Sequence, residues 1–209
     1  MKLCPSTYRS SYLVLVAFVL LALVAGTTPF FSFDLDLTRI IQGIRLPFFD
    51  ILMKSISSIG SGRAMPMAVI AIVSFFIFLN LKLEAIYLSV SSFTALLAGN
   101  LAKIMVSRPR PVEGLVSIYK HLSDNSFPSS HTLTYTVIFG FLFFVALARL
   151  KPSWKKSLVL GLSAFLILTV GVSRIYLGAH WPSDVLGGYL LGFFFLTQTI
   201  RIYKTHGQR

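Results

Sequence analysis

The sequence predicts an all-α, polytopic membrane protein with six transmembrane helices and an interfacial helical segment between the first and the second. Of its 209 residues, 55% are hydrophobic and only 12% are charged, and the mean hydropathy of +0.78 is far above that of a soluble domain. Six apolar runs approach the length of about 20 residues that a helix needs to cross a bilayer. These runs are Ser11–Gly26, Ala64–Leu81, Glu84–Val106, Thr132–Leu150, Lys156–Ile175 and Val185–Ile202.

The first apolar run is predicted to be a retained helix and not a cleaved signal peptide. Lys2 and Arg9 precede it, as basic residues precede a secretory signal. Its exit is nevertheless a poor cleavage site, because Leu23 occupies the −3 position for cleavage after Ala25. The single cysteine, Cys4, excludes an internal disulfide bond.

The segment Phe30–Gly62 is too polar to cross the bilayer and too apolar to be a free loop. Its charged residues alternate with Leu, Ile and Phe, and Pro47 interrupts the pattern. Such a pattern is typical of one or two helices that lie in the plane of the membrane interface. We expect the segment to pack on the bundle; a lid or a lipid entry surface is the alternative.

Three polar windows lie between the later apolar runs, at Lys103–Pro111, Phe127–His131 and Ser173–Asp184. The first window leaves the third run, the second enters the fourth, and the third joins the fifth to the sixth. Helix parity therefore places all three on one side of the membrane. Because charged groups are costly inside a bilayer, such windows are functional-site candidates. We expect one domain over residues 1–209, with a motif-bearing core at about residues 84–205.

Basic residues in the connections indicate the orientation in a bacterial-type plasma membrane. If the amino terminus is cytoplasmic, the inside segments carry Lys2, Arg9, Lys82, Arg149, Lys151, Lys155, Lys156, Arg201, Lys204 and Arg209. Apart from the three window cations Lys103, Arg110 and Arg174, the outside segments carry Arg39, Arg45, Lys54, Arg63, Arg108 and Lys120. The excess inside predicts that both termini are cytoplasmic and that the windows face outward.

The formal charge of +12 is compatible with an anionic partner. The basic residues form short clusters between apolar runs and no continuous stripe, so we do not expect nucleic acid to bind. No carboxylate or Cys/His cluster has metal-ligand spacing, so neither a metal nor another cofactor is expected.

Together the windows resemble the motifs of the type 2 phosphatidic acid phosphatase superfamily, the membrane lipid phosphatases. The motifs of that family read Lys-x6-Arg-Pro, Pro-Ser-Gly-His and Ser-Arg-x5-His-x3-Asp. Here they run over Lys103–Pro111, Pro128–His131 and Ser173–Asp184, and Ser130 stands where the family usually has glycine. Three motifs in this order and at matching membrane positions are very specific. The six-span layout resembles the family over nearly the whole chain.

The resemblance implies a role for each polar residue of the windows. His180 is expected to attack phosphorus and form a phosphohistidine, and Asp184 is expected to hold its other ring nitrogen. His131 is expected to protonate the leaving group. The phosphoryl oxygens would be bound by Lys103, Arg110, Ser129, Ser130 and Arg174.

Two of these assignments leave alternatives. The six-residue gap of the first motif selects Arg110, so Arg108 is expected to be a surface charge that contacts lipid headgroups. Ser129 and Ser130 stand where the fourth apolar run begins, a position that suits helix capping as well as anion binding.

We therefore expect a metal-independent membrane lipid phosphatase that hydrolyses a lipid phosphate or diphosphate through a phosphohistidine. A lipid phosphotransferase with the same site and a non-catalytic anion-binding membrane module are the alternatives. A vanadate-dependent haloperoxidase is disfavoured because those relatives resemble soluble enzymes. The sequence does not select among phosphatidylglycerophosphate, undecaprenyl diphosphate, phosphatidic acid and a lipid A phosphate.

Overall fold

The computed structural model describes residues 6–206, which form eight α-helices. Each predicted apolar run is a helix, and the segment between the first two runs forms two more. Expectations that rest on Lys2, Cys4, Arg9 and Arg209 lie outside the described residues or side chains. The helices are α1 (Ser6–Thr27), α2 (Ser32–Gln42), α3 (Pro47–Ile59), α4 (Ala64–Phe78), α5 (Lys82–Val106), α6 (Ser130–Arg149), α7 (Trp154–Tyr176) and α8 (Pro182–His206).

The prediction of an all-helical membrane protein is confirmed, with four to six candidate membrane spans. Helices α5 to α8 are each long and apolar enough to cross a membrane. Helices α1 and α2 meet at 94°, and α3 and α4 meet at 67°; counting each bent pair as one span gives six. Helix α4 has 15 residues, or about 22 Å at 1.5 Å per residue, which is shorter than a bilayer core of about 30 Å.

The breaks between helices follow from residues that cannot continue them. Pro29 follows α1, and Pro47 occupies the start of α3, where its missing N–H leaves no hydrogen bond unmade. Helix α5 ends at Ser107, whose left-handed conformation (φ 50°) turns the chain into the 107–129 connection. That connection carries the end of the first motif and the first half of the second.

Helix α6 is at the centre of the bundle and packs against α5, α7 and α8. Its residues from Thr132 to Phe141 are all buried, as expected of a helix with neighbours on every side. One side belongs to a hydrophobic cluster with Tyr135 and Ile138, and another side to a cluster with Leu133 and Val137. Helices α2 and α3 both pack on α7, so the segment predicted to pack on the bundle does so.

Helix α8 approaches α6 closely at Gly188. A Cβ atom there would lie 2.7 Å from the carbonyl oxygen of Ser129, closer than real Cβ atoms come. Small residues permit such backbone contacts between membrane helices. At the same end of the pair, the Ser129 N–H donates to the carbonyl oxygen of Asp184 at 3.0 Å. The beginnings of α6 and α8, which carry the second and third motifs, are thereby held together.

Candidate active site

The three polar windows meet at one end of the bundle, around a cavity of about 1040 Å³. Ligand sites for small molecules commonly measure about 300–1000 Å³, so this cavity is at the large end. Six of the predicted site residues line it: Lys103, Arg110, Ser130, His131, Arg174 and His180. Ser129 and Asp184 are fully buried behind its wall.

Another part of the cavity lining belongs to α4 and α5 and is mainly apolar, with Ser89 and Ser92 as its polar members. Val69, Ile70, Phe93 and Leu96 line it, and the side chains of Ile70, Phe93 and Leu96 are exposed. The cavity therefore joins a cluster of charged groups to a hydrophobic helix surface. This combination suits an amphipathic ligand with an anionic head.

His180 lies in the short connection between α7 and α8 and is 2% exposed. Its Nδ1 is 3.8 Å from Asp184 Oδ2, which is longer than a hydrogen bond. Ser126 lies between the two groups: its hydroxyl donates to Asp184 Oδ2 and is 3.4 Å from His180 Nδ1. The sequence predicts contact of the imidazole with Asp184, and in the structure the Ser126 hydroxyl connects them.

The hydrogen bonds of the imidazole indicate its tautomer. Arg110 NH1 lies 3.2 Å from His180 Nε2; a guanidinium can only donate, so Nε2 is the acceptor and Nδ1 carries the proton. Burial, followed by the positive charges of Arg110 and Arg174, lowers the pKa of His180 well below its usual value. The ring is therefore neutral near pH 7, with an unprotonated nitrogen beside the cation cluster.

Lys103 and Arg110 share a carboxylate that the sequence analysis missed. Lys103 Nζ donates to Asp124 Oδ2 at 2.9 Å, and Arg110 NH2 donates to Asp124 Oδ1 at 2.8 Å. Arg110 Nε also donates to the Asp124 carbonyl oxygen at 2.8 Å. Partial burial alone would raise the pKa of Asp124, but the hydrogen bond and charge of Lys103, with Arg110, lower it to about 2.

Arg174, near the end of α7, is the third cation at the cavity. Its NH1 donates to the hydroxyl of Ser57 on α3. Its Nε is buried and, among the residues that the structure describes, has no hydrogen-bond partner. A buried, unpaired guanidinium N–H beside a cavity is a donor available to an anion.

His131, in the first turn of α6, is held by the end of α3. Its Nε2 lies 3.3 Å from the carbonyl oxygen of Ser57 and 3.2 Å from the hydroxyl of Ser61. Gly60 permits this approach, since a Cβ atom there would be 2.4 Å from His131 Cδ2. The end of α3 thus contacts both His131 and, through Ser57, Arg174.

Arg108 is not the headgroup-contacting surface charge that the sequence predicts. Its side chain is fully buried, with NH1 2.6 Å from Asp184 Oδ1 and NH2 3.0 Å from Asp34 Oδ2. The expectation is wrong because the connection after α5 folds back between α2 and α8, where two buried carboxylates compensate the guanidinium. Asp34 also accepts hydrogen bonds from the backbone N–H and the hydroxyl of Ser183.

Ser129 and Ser130 differ in their surroundings. The Ser129 hydroxyl caps α6 by accepting from the backbone N–H of Thr132, and it also accepts from Thr132 Oγ1 at 3.0 Å. The backbone N–H of Ser129 donates to the carbonyl oxygen of Asp184. Ser129 therefore acts as a helix cap, which is one of the two alternatives that the sequence offered. Ser130 is half-buried and lines the cavity, as expected of a residue that contacts a ligand.

Ser57, Ser61, Asp124 and Ser126 contact the predicted site but were not predicted from the sequence. Asp34, also not predicted, reaches Asp184 through Arg108. Ser126 and Asp124 immediately precede the second motif, so proximity in sequence is a usable signal for them. The other three lie in α2, α3 and the turn after α3, and no spacing links them to the motifs. Within residues 6–206, no group of three or more His, Cys, Asp or Glu side chains is arranged to hold a metal ion.

Two known proteins are similar in sequence to this chain over most of its length. It is 28% identical to phosphatidylglycerophosphatase B of Bacillus subtilis over 87% of this chain and 89% of that protein. It is 26% identical to an undecaprenyl-diphosphatase of Sulfolobus acidocaldarius over 93% of this chain and 91% of that protein.

A solved structure shares the fold. The crystal structure of a transmembrane PAP2 type phosphatidylglycerolphosphate phosphatase from Bacillus subtilis superposes with a TM-score of 0.81, at 23% identity, over 94% of this chain and 96% of that one. The sequence profile of the PAP2 superfamily matches residues 84–208, which include all three motifs. The chain belongs to the PAP2 superfamily.

Proposed function

We propose that this chain is a metal-independent membrane lipid phosphatase that transfers the phosphoryl group of a lipid phosphate or diphosphate to His180 and then to water. The observation that supports this most directly is the environment of His180. Its unprotonated Nε2 lies beside Arg110, and its Nδ1 is backed by Ser126 and Asp184. A nucleophile needs such an unprotonated lone pair on one side and an orienting group on the other.

In the first step, the His180 Nε2 lone pair attacks phosphorus while the bond from phosphorus to the leaving oxygen breaks. His131 supplies the proton that the leaving oxygen takes up. The imidazole gains positive charge as the N–P bond forms, and Asp184 stabilises this charge through the Ser126 hydroxyl. In the second step, water gives a proton to His131 and attacks phosphorus, and the N–P bond breaks.

The phosphoryl oxygens are bound by Lys103, Arg110 and Arg174, with Ser130 as a further contact. These cations stabilise the negative charge of the transition state, so no divalent metal is needed for that purpose. Ser129 acts indirectly, by fixing the beginning of α6 against α8.

The proposed substrate class is a lipid with a terminal phosphate. Two relatives are named for phosphatidylglycerophosphate and undecaprenyl diphosphate, so these lipids are the first candidates. The apolar residues of α4 and α5 that line the cavity could contact the hydrocarbon chain of such a lipid while its phosphate lies at the charged end.

We further propose that residues 1–209 act as one membrane domain that crosses the bilayer six times. In this arrangement α2 and α3 lie at the outer interface, both termini are cytoplasmic, and the cavity opens to the outer side. The excess of basic residues in the inside connections supports this orientation.

The test is an assay of purified protein in detergent against these two lipids, phosphatidic acid and a lipid A phosphate, with free phosphate as the readout. We expect turnover to survive EDTA, orthovanadate to inhibit, and His180→Ala to abolish hydrolysis of every substrate. Loss of activity in EDTA that Mg²⁺ restores would contradict the metal-free mechanism. Transfer to an acceptor lipid without free phosphate would instead indicate a phosphotransferase, and turnover that needs no histidine would exclude the site.

A second comparison separates the two histidines. His131→Ala should impair a lipid phosphate more than an activated aryl phosphate, because the aryl leaving group needs no proton. Proton transfer of this kind is worth about 10²–10⁴-fold in rate. Equal losses on both substrates would remove the support for His131 as the acid.

A further inference from the structure

The carboxylate of Asp124 occupies the two cations that a phosphoryl group would meet. One oxygen is 2.9 Å from Lys103 Nζ and the other is 2.8 Å from Arg110 NH2. Asp124 itself lines the cavity, as do both cations. A phosphoryl group binds the same donors with two of its oxygens, so it and the Asp124 carboxylate compete for one position.

Asp124 is the exchangeable member of this cluster. Its side chain is 57% exposed, whereas those of Lys103 and Arg110 are 8% and 11% exposed. When the carboxylate rotates into water it loses its ion pairs but gains hydration, and it moves a short way because it is already more than half exposed. The buried pairs of Arg108 with Asp34 and Asp184 are different, because all three side chains are fully buried.

Arg174 does not share this carboxylate. Its hydrogen-bond partner is the Ser57 hydroxyl, and its buried Nε has no partner among residues 6–206. An incoming anion therefore gains Arg174 without competition, but reaches Lys103 and Arg110 only by displacing Asp124.

We propose that Asp124 is a specificity-determining residue, an internal competitor that admits a terminal phosphate and rejects the phosphodiester headgroups of ordinary phospholipids. This inference rests on the proposed function. A terminal phosphate carries about −1.5 to −2 charges near pH 7, whereas a phosphodiester carries one. At Lys103 and Arg110, replacing one single negative charge by another gains no Coulomb energy, and replacing it by a dianion does. A site immersed in phosphodiester lipids needs such discrimination.

The first arm of the test measures the inhibition constant of inorganic phosphate against a soluble aryl phosphate. Asp124→Asn should lower this constant by about threefold to tenfold, which is the range expected for removing one or two partly exposed ion pairs. Asp124→Glu, which keeps the charge, should stay near the wild-type value. Glu113→Gln is the matched control, because it removes an exposed carboxylate paired with His121 in the same connection.

The second arm measures discrimination in mixed micelles of detergent and lipid. Phosphatidylglycerol, an anionic diester, should inhibit Asp124→Asn more than an equal amount of phosphatidylcholine does. The wild-type protein and Glu113→Gln should respond equally to the two lipids.

An increase in the inhibition constant of phosphate in Asp124→Asn would overturn the inference. If Asp124 only holds Lys103 and Arg110 in position, Asp124→Asn will bind phosphate more weakly; an unchanged constant also counts against competition. If the variant is inactive, the increase in its unfolding temperature with added phosphate measures phosphate binding without the need for turnover. The same measurement separates the two proposals. If the wild-type protein hydrolyses no lipid phosphate but Asp124→Asn binds phosphate more tightly, the competition is supported and the proposed function is refuted.

Discussion

Arg108 and Arg110 stand two positions apart, yet their surroundings predict opposite consequences of losing the charge. Arg108→Gln would leave Asp34 and Asp184 buried without their shared cation, and breaking such a buried pair costs about 3–5 kcal/mol. Arg110→Gln removes a charge at the cavity and should lower activity, with a stability change of about 1 kcal/mol or less. Thermal unfolding in detergent, followed beside phosphate release, checks both. Equal unfolding temperatures for the two variants would contradict the assignment of Arg108 to a buried network.

His180 should make the stability of the protein depend on pH. Its pKa is lowered by burial and by the neighbouring cations, whereas an unfolded histidine titrates near 6.5. Above about pH 6.5 neither state binds the proton; below it the unfolded state does and the folded state does not, so stability falls as the pH falls. The slope contributed by one such group is at most about 1.4 kcal/mol per pH unit.

Unfolding temperatures between pH 7.5 and pH 5 measure this slope. His180→Asn, which does not titrate, should have a shallower dependence than the wild-type protein. An identical dependence in the variant would mean that the pKa of His180 is the same in the folded and unfolded states, which would contradict the lowered pKa.

At the scale of elements, the end of α3 controls the position of His131. Gly60→Ala would bring a Cβ atom 2.4 Å from His131 Cδ2 and 2.9 Å from Tyr135 Cε2, so the histidine or α3 must move. We expect hydrolysis of a lipid phosphate to fall by about tenfold or more, and hydrolysis of an aryl phosphate to fall less, because only the first needs the proton.

Gly161→Ala is the control for this element. Gly161 lies within α7, and a Cβ atom there would have no heavy atom within 4 Å. Its substitution should leave both activities unchanged and shift stability by no more than the roughly 1 kcal/mol that separates glycine from alanine in a helix. Equal losses on the two substrates in Gly60→Ala would indicate that α3 serves only the general packing of the site.

For the whole molecule, the orientation in the membrane is the property to test. We expect the connection that holds Lys120 to face outward and the connection that holds Lys151 to face the cytoplasm. In a Cys4→Ser background, a single cysteine beside Lys120 should react with a membrane-impermeant maleimide in intact cells, and one beside Lys151 should not. The reverse pattern would place the cavity on the cytoplasmic side.

The sequence predicted the helices well because hydrophobic length is a local property. All six apolar runs are helices, and parity alone grouped the three motifs that now line or support one cavity. The partners of those motifs were not predictable in the same way. Ser57 and Asp34 reach the site through the packing of α3 and α2, which no spacing encodes. The burial of Arg108 depends on how one connection folds, and a motif that selects Arg110 says nothing about it.

The buried contact of Arg108 with Asp34 joins the motif region to a helix that precedes it by more than forty residues, and it predicts a pattern of inheritance. A relative that loses the base at position 108 should also lose the acid at position 34, because a buried carboxylate without its cation is costly. Chimaeras should obey the same constraint. Grafting α1 and α2 from another member of the family should lower stability when the grafted residue that faces Arg108 is not acidic.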